Sequence, residues 1–482
     1  MTQNDSVPHT DCTIVWFRDD LRIADNPALL AAERRSAPTL AVYVLDEDSD
    51  GIRPLGAASR WWLHHSLESL GRSLARLGVP LLLRRGPAAD VVPDLARVAR
   101  AGAVYWNRRY GGPEISVDKA VKTTLRDEGR TVESFAARLL HEPWALKPAS
   151  GPGYKVFTPF WKAARQSGDP RNPLPAPQRM SGARVEVASD WLADWALLPS
   201  APDWSGGLAE TWTPGEDGAR NRLERFLDEA IGSYARERDR PDIDATSMLS
   251  PHLRFGEISP HQVWHAVHGF RTGESANKFL SEIGWREFSW HILFHTPDLA
   301  ERNFSAKFDA FPWRNDPDGL KAWQRGRTGY PIVDAGMRQL WTTGWMHNRV
   351  RMVAASFLVK HLLIDWRQGE RWFWDTLVDA DAANNPSGWQ WVAGSGADAA
   401  PYFRVFNPTL QGEKFDPDGA YVRHWVPELA GLPTKHIHAP WTAPERVLRD
   451  AGMELGATYP EPVVPHAQAR ERALASFRSL KD

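Results

Sequence analysis

The chain has little sulfur and no excess of charge. One cysteine, Cys12, stands among 482 residues. That excludes an internal disulfide framework, a cysteine-rich zinc site and an iron–sulfur cluster. Lys and Arg number 58 against 60 Asp and Glu, a net charge of -2. Global charge therefore announces neither a nucleic-acid nor a membrane partner, and such a partner would need a local basic patch. No run of about 18 apolar residues is present, which excludes a membrane-spanning helix. The polar start, MTQNDSVPHTD, lacks the charged-then-apolar form of a signal peptide, so a cytoplasmic chain is expected. Nor does a glycine-rich phosphate loop follow the first apolar run, where FRDDLRIADNP stands instead.

Tryptophan is what the chain has in excess: 24 Trp against 9 Tyr, most of them in the second half. Indole fills cores, but it also stacks on flat ligands and can donate an electron. Length suggests two or three domains, at about 100–200 residues each. Apolar runs at Thr13–Phe17, Thr39–Leu45, Leu81–Leu83, Ala103–Trp106 and Thr131–Phe135 have strand length. Helical stretches at about 57–77, 88–101 and 115–128 separate them. This alternation predicts an α/β domain with a doubly wound parallel sheet over 1–140. Eleven prolines between 143 and 214 mark an inter-domain connector over 141–217. From 218 to 482 the signals are helical, at 219–231, 260–270, 276–294, 320–324, 331–343, 346–363 and 370–378. This half is expected to be all-α.

Four clusters in the helical half carry chemistry. Thr246-Ser247-Met248-Leu249-Ser250-Pro251 offers hydroxyls and free backbone N–H groups before a helix, suited to a phosphate or to a simple N-cap. Glu282, Trp285 and Arg286 fall on one helix face, as an aromatic ligand site or as a salt bridge beside a core Trp. Asn348, Arg351 and Met352 share another face in GWMHNRVRM. The segment DADAANNPSGWQW, residues 379–391, crowds two acids and two amides but lacks the glycine and late glutamate of an EF-hand. Hydrogen bonding to a heterocycle and its ribose fits it better.

With these motifs the chain resembles the cryptochrome/photolyase family. The likeness runs from VWFRDDLRIADNPAL through YKVFTPFWK to WQWVAGSGADAAPYFRVFNPTLQGEKFDPDGAYVRHWVPEL, and RDDLR, DADAANNP and WVAGSGADAA look closest to the class III cyclobutane-dimer photolyases. The resemblance implies FAD in the helical domain, active as FADH⁻. It assigns Tyr234, Thr246, Ser247, Met248, Leu249, Ser250, Phe279, Glu282, Arg286, Trp345, Asn348, Arg351, Asp379, Asp381 and Asn385 to the cofactor's surroundings. Arg351 and Asp379 match an ion pair beside the isoalloxazine, and Asn385 an amide near flavin N5. Glu282, Trp285, Asn348, Met352 and Trp391 match the dimer pocket. Arg238, Arg349, Arg404 and Lys414 match or neighbour positions that contact DNA phosphates. Trp313, Trp366 and Trp389 match an electron-transfer triad. An antenna is implied in the α/β domain, methenyltetrahydrofolate first and a deazaflavin second. The resemblance implies light-driven repair of cyclobutane pyrimidine dimers in UV-damaged DNA by a monomer, with no membrane and no obligate protein partner. The rival is a cryptochrome-type blue-light photoreceptor, against which the dimer-pocket set and the short stretch after Asp416 both weigh. A non-photochemical flavin oxidoreductase would need a second redox site, and no nicotinamide fingerprint is found.

Overall fold

The structure, a computed structural model, describes residues 11–270, 272–399 and 403–480. Most of the polar N-terminus and residues 400–402 of the APYFRVF segment lie outside the described residues. Five strands form one parallel sheet: β1 (Cys12–Phe17), β2 (Thr39–Leu45), β3 (Leu81–Arg85), β4 (Ala101–Asn107) and β5 (Thr131–Phe135). Their order is β3-β2-β1-β4-β5, so the chain reverses its direction of travel beside β1. Helices α1 (Pro27–Arg35), α2 (Ala57–Leu77), α3 (Ala88–Val98) and α4 (Gly112–Asp127) cross over the two faces.

The strands are apolar on both faces, and alternate residues serve opposite cores. Ile14, Trp16, Val42 and Val104 pack under α3 and α4. Val15, Phe17, Ala41 and Tyr105 face α1 and α2, and this second cluster extends to Phe255, Trp345 and Val378 of the helical half. The sheet is therefore also the floor on which the second domain sits. Helix α1 was not expected from the sequence. Its signal is nonetheless present: Asn26 caps it by accepting from Leu29 N at 3.1 Å, and Pro27 takes the first turn.

The helical half departs from expectation in its breaks. One continuous helix was expected over 346–363, but the α-helix runs Asn348–Ser356 and a π-turn, Phe357–His361, follows. The expected 219–231 helix likewise ends at Arg225 and continues as a π-turn, Phe226–Ala230. Apolar periodicity cannot distinguish these, because both keep their apolar side inward. The helix over Glu274–His295 is slightly longer than expected. Further helices at Asn384–Ala393, Pro408–Phe415 and His466–Arg478 were not anticipated. Among the described residues no helix is long and apolar enough to cross a membrane.

The connector carries its own helix, Phe157–Gln166, and returns to the sheet where Thr39 bridges Gly182. Buried polar groups fasten the halves together. Glu257, fully buried, accepts from Trp62 Nε1 at 3.0 Å and Gly215 N at 2.7 Å, and its other oxygen meets His252 Nδ1 at 2.5 Å. Arg22 of RDDLR donates to Gly256 O at 2.8 Å and to Ala137 O at 3.2 Å.

Candidate active site

Four residues from three distant segments join into one hydrogen-bonded group. Asp379, in the turn before Asn384–Ala393, accepts from both Nη atoms of Arg351 at 3.1 and 2.8 Å. The same carboxylate accepts from Ser250 Oγ at 2.6 Å. Trp345 Nε1 donates to that hydroxyl at 3.4 Å, and Arg351 Nε holds Met346 O at 2.7 Å. The bidentate pair fixes the plane of the guanidinium, as a fork on a carboxylate does. Asp381 serves the local chain instead: it accepts from Ala383 N at 2.8 Å and Asn384 Nδ2 at 2.7 Å, closing the turn into the next helix.

Asn385 is tied by a residue that sequence reasoning missed. Its Nδ2 donates to Glu370 Oε1 at 2.8 Å and to Glu370 O at 3.0 Å. Glu370 is almost fully buried and is held by Arg53 of the α/β domain at 2.7 and 3.0 Å. Arg53 in turn lies 3.9 Å over Trp374. An ionised carboxylate only accepts, so the amide must turn its NH₂ to Glu370 and its oxygen away. Nothing in local spacing could have revealed a partner 317 positions from Glu370.

The remaining cofactor assignments divide. Thr246 and Ser247 stand half-buried in their loop, with Ser247 Oγ accepting from Leu249 N at 3.4 Å. Leu249 is buried in an apolar cluster, while Met248, at a left-handed φ of 50°, packs against the cluster on the sheet. The Leu249 side chain is thus core, whereas that of Met248 is half-buried and its sulfur lies 3.7 Å from Arg222 Nη1. Phe279 and Tyr234 meet edge to face at 5.3 Å in the same cluster as Leu249. Arg286 spends its guanidinium on Arg138 O at 3.0 Å and Leu253 O at 3.4 Å. The shared face expected for Glu282, Trp285 and Arg286 thus carries three separate partner sets.

Trp285 stacks on Phe157 of the connector helix, with centroids 3.8 Å apart and planes within 8°. That contact gives the YKVFTPFWK segment its place. Trp391 Nε1 donates to Asp398 O at 3.0 Å. Asn348 opens its helix, exposed, with half-buried Met352 about one turn on. Glu282 pairs with Arg238, and Lys278 Nζ lies 3.4 Å from the same carboxylate oxygen. Asp239 continues the chain of charge, 3.7 Å from Arg238 Nε and 2.9 Å from Arg349 Nη2. This row joins the Glu282 helix to the Asn348 helix. Arg349 and Lys414 approach the Phe415 ring at 4.4 and 5.1 Å. Arg404 is exposed, and its carbonyl accepts from Lys360, whose ammonium burial pushes down to about 7.

Trp366 and Trp389 lie buried in one apolar cluster, with half-buried Trp313 packed at its margin. Trp366 Nε1 donates to Asn303 Oδ1 at 2.9 Å. Trp389 meets Phe373 at 4.9 Å and Trp323 at 6.0 Å, both edge to face. Trp313 lies 4.3 Å from Phe311.

A second concavity of about 510 Å³ lies between the domains, at the carboxyl ends of β1, β2 and β4. Arg18, Arg109, Arg138 and Arg254 line it with Asp19 and Tyr43. Burial opposes ionisation of Asp19, but Arg138, Arg254 and Arg109 outweigh it and hold the carboxyl well below the usual range. Buried N–H groups on Arg18, Arg109 and Arg138 have no hydrogen-bond partner. Glu142, near the domain junction, accepts from Arg108 at 2.8 Å and from Tyr110 at 3.0 Å.

Residues 13–178 match the family profile described as DNA photolyase, and residues 279–479 that described as FAD binding domain of DNA photolyase. The chain is 54% identical to a deoxyribodipyrimidine photo-lyase of Agrobacterium fabrum over 97% of its own length and 98% of that protein's. It belongs to the photolyase/cryptochrome family. Within that family it superposes on a solved class III photolyase from Agrobacterium tumefaciens with a TM-score of 0.95, at 53% identity and 99% coverage of both chains. Arabidopsis thaliana cryptochrome-1 is 42% identical over 96% of this chain, which spans 69% of that longer protein. The residues that match the FAD-binding domain include Trp345, Arg351 and Asp379 of the hydrogen-bonded group, and Ser250 joins them from the chain before it. Those residues suit a flavin nucleotide: a fixed cation, a polar rim and a buried indole at one place.

Proposed function

We propose that this protein is a deoxyribodipyrimidine photo-lyase that splits cyclobutane pyrimidine dimers in DNA under light. One observation carries the reading: Arg351, Asp379, Ser250 and Trp345, which a photolyase uses around FAD, are hydrogen-bonded together here from three separate segments. Arg351 and Asp379 would hold the isoalloxazine, Thr246, Ser247 and Ser250 the phosphates, and Asn385 the N5 edge. Bound as FADH⁻, the cofactor supplies light-driven electron donation, and the protein supplies position and electrostatics. Trp285 and Trp391 offer flat walls to the non-planar dimer, and Glu282 a hydrogen-bonding partner for its carbonyl and imide groups. Arg349, Arg404 and Lys414 meet phosphates, while the dimer leaves the duplex at a cost of a few kcal/mol, less than for a sound base. Trp389, Trp366 and Trp313 form a route for reducing the flavin, from buried to half-exposed.

The arginine-lined concavity is our choice for the antenna, methenyltetrahydrofolate before a deazaflavin. Its volume lies within the range of small-molecule pockets, and the carboxyl ends of parallel strands at a change of strand order are where such ligands bind. The guanidinium groups of Arg18, Arg109, Arg138 and Arg254 that line it suit an anionic ligand. The domains are taken as 1–140, 141–217 and 218–482, and the protein as a cytoplasmic monomer.

The test is a blue-light assay with FAD-loaded protein on an oligonucleotide carrying one cyclobutane thymine dimer. Splitting in light and none in darkness is expected. Photoreduction of the flavin without splitting would favour the photoreceptor reading.

A further inference from the structure

Every cation of the row beside the dimer pocket already has an anionic partner within the protein. Arg238 is paired with Glu282 and borders Asp239, and Arg349 is paired with Asp239. Lys278 also touches Glu282. His347 also faces this row, with Asp239, Arg349 and Arg238 among its neighbours, and burial keeps it neutral; the Tyr234 ring lies 5.7 Å from the Arg238 guanidinium, and burial raises its phenol above the ordinary value. The row is only partly desolvated: side-chain exposure is 14% for Arg238, 26% for Glu282, 20% for Arg349 and 34% for Asp239. Such pairs can be opened by a competing ligand, unlike fully buried ones.

Resting on the photolyase reading, we infer that the Arg238–Glu282 pair is an exchange contact that makes Glu282 a determinant against undamaged DNA. A phosphate that takes Arg238 strips Glu282 of its strongest partner. On undamaged DNA only the more exposed Lys278, at 3.4 Å, remains for Glu282, and a half-buried carboxylate is left under-paired facing a polyanion. The phosphate contact at Arg238 is therefore disfavoured there. A flipped dimer brings imide N–H groups to Glu282, so both halves of the broken pair find new partners. Phosphate binding and lesion binding thus reinforce one another, although Arg238 never touches the lesion. Discrimination of this kind works by leaving a charge unpaired in the wrong complex rather than by adding contacts in the right one.

The experiment measures dissociation constants in darkness for undamaged and dimer-bearing duplexes of one sequence. FAD-loaded wild type, Glu282→Gln, Arg238→Ala and the double variant are compared. Glu282→Gln should bind undamaged DNA about tenfold more tightly, because an amide no longer holds the guanidinium as a charge. Its affinity for the dimer should stay level or fall, so the ratio between the two DNAs shrinks. In the Arg238→Ala background, Glu282→Gln should no longer tighten binding to undamaged DNA. Glu282→Asp, which keeps the charge, should keep undamaged DNA weak. Equal tightening on both DNAs would overturn the exchange in favour of simple loss of repulsion. So would a gain that persists without Arg238. Wild type that binds both duplexes alike would instead sink the photolyase reading itself, and the exchange with it.

Discussion

Two sets of carboxylates in this molecule do opposite work with the same chemistry. At the domain seam, Glu257 is fully buried and accepts or shares three hydrogen bonds from three segments. Beside the proposed dimer pocket, Glu282 and Asp239 are also paired, yet each keeps a quarter to a third of its side chain in water. A buried carboxylate cannot exchange its partners, because water is not there to stand in during the change. A half-exposed one can. Burial, more than the identity of the partner, separates the acids that hold the domains together from those that can answer a ligand.

The largest effect should come from breaking the seam. Glu257→Ala leaves three donors without an acceptor and should lower unfolding stability by about 3–5 kcal/mol. Asp239→Ala should change it by no more than about 1 kcal/mol. Comparable losses in urea or thermal melts would erase the distinction.

Trp366 sharpens the comparison, since it is fully buried and yet assigned a task beyond packing. Trp366→Phe keeps an aromatic ring of similar shape, so fold and FAD content should survive. Photoreduction of oxidised FAD by an external thiol should slow strongly. Chemically reduced protein should still split dimers, because that electron does not use the route. Photoreduction at the wild-type rate would point to another path from Trp389, for which the Trp323 indole at 6.0 Å is the one to examine.

A smaller effect tests the ground beside that pocket. Burial pushes the His347 imidazole down to about 4, from an ordinary value near 6.5. Between those values the unfolded chain binds the proton and the folded one does not. Stability is therefore present above pH 6.5 and is lost as pH falls toward 4, by up to about 1.4 kcal/mol per pH unit. His347 Nδ1 accepts from Arg349 N at 3.2 Å at the helix start. His347→Asn keeps a capping acceptor and removes the titration, so its stability should fall less steeply between pH 6.5 and 5. Parallel curves for the two proteins would remove His347 from this window.

The smallest effect is electrostatic. Arg349→Ala should weaken damaged and undamaged DNA alike and flatten the salt dependence by about one unit of slope. Stability should hardly move. A loss confined to damaged DNA would mean that this arginine contacts the lesion.

Much of the fold was legible because its signals are local. The strands announced themselves as short apolar runs, and the prolines from 143 to 214 marked the connector. The π-turns at 226–230 and 357–361 left no trace, since their apolar side stays inward. The candidate site was legible where a motif is contiguous, as in residues 379–391. It was illegible where partners come from far away. Glu370 carries no motif, and Arg53 comes from a loop of the other domain. The motif around Leu249 names neighbours in sequence without saying which side chains turn inward, as that of Leu249 does.

The Arg53 fork has a mechanical consequence. Oxygen Oε1 of Glu370 is gripped from one side by Arg53 and from the other by Asn385, at 2.7 and 2.8 Å. The two domains therefore share a tether that ends on the amide assigned to the flavin edge. Any slide of the sheet layer across the helical layer would stretch this tether or drag the amide with it. Arg53 is also clamped on Trp374, whose indole donates to Pro54 O at 2.9 Å, so slack is small. The loop that packs one domain is, in this respect, a strut for the edge of the other at which the flavin is proposed to sit.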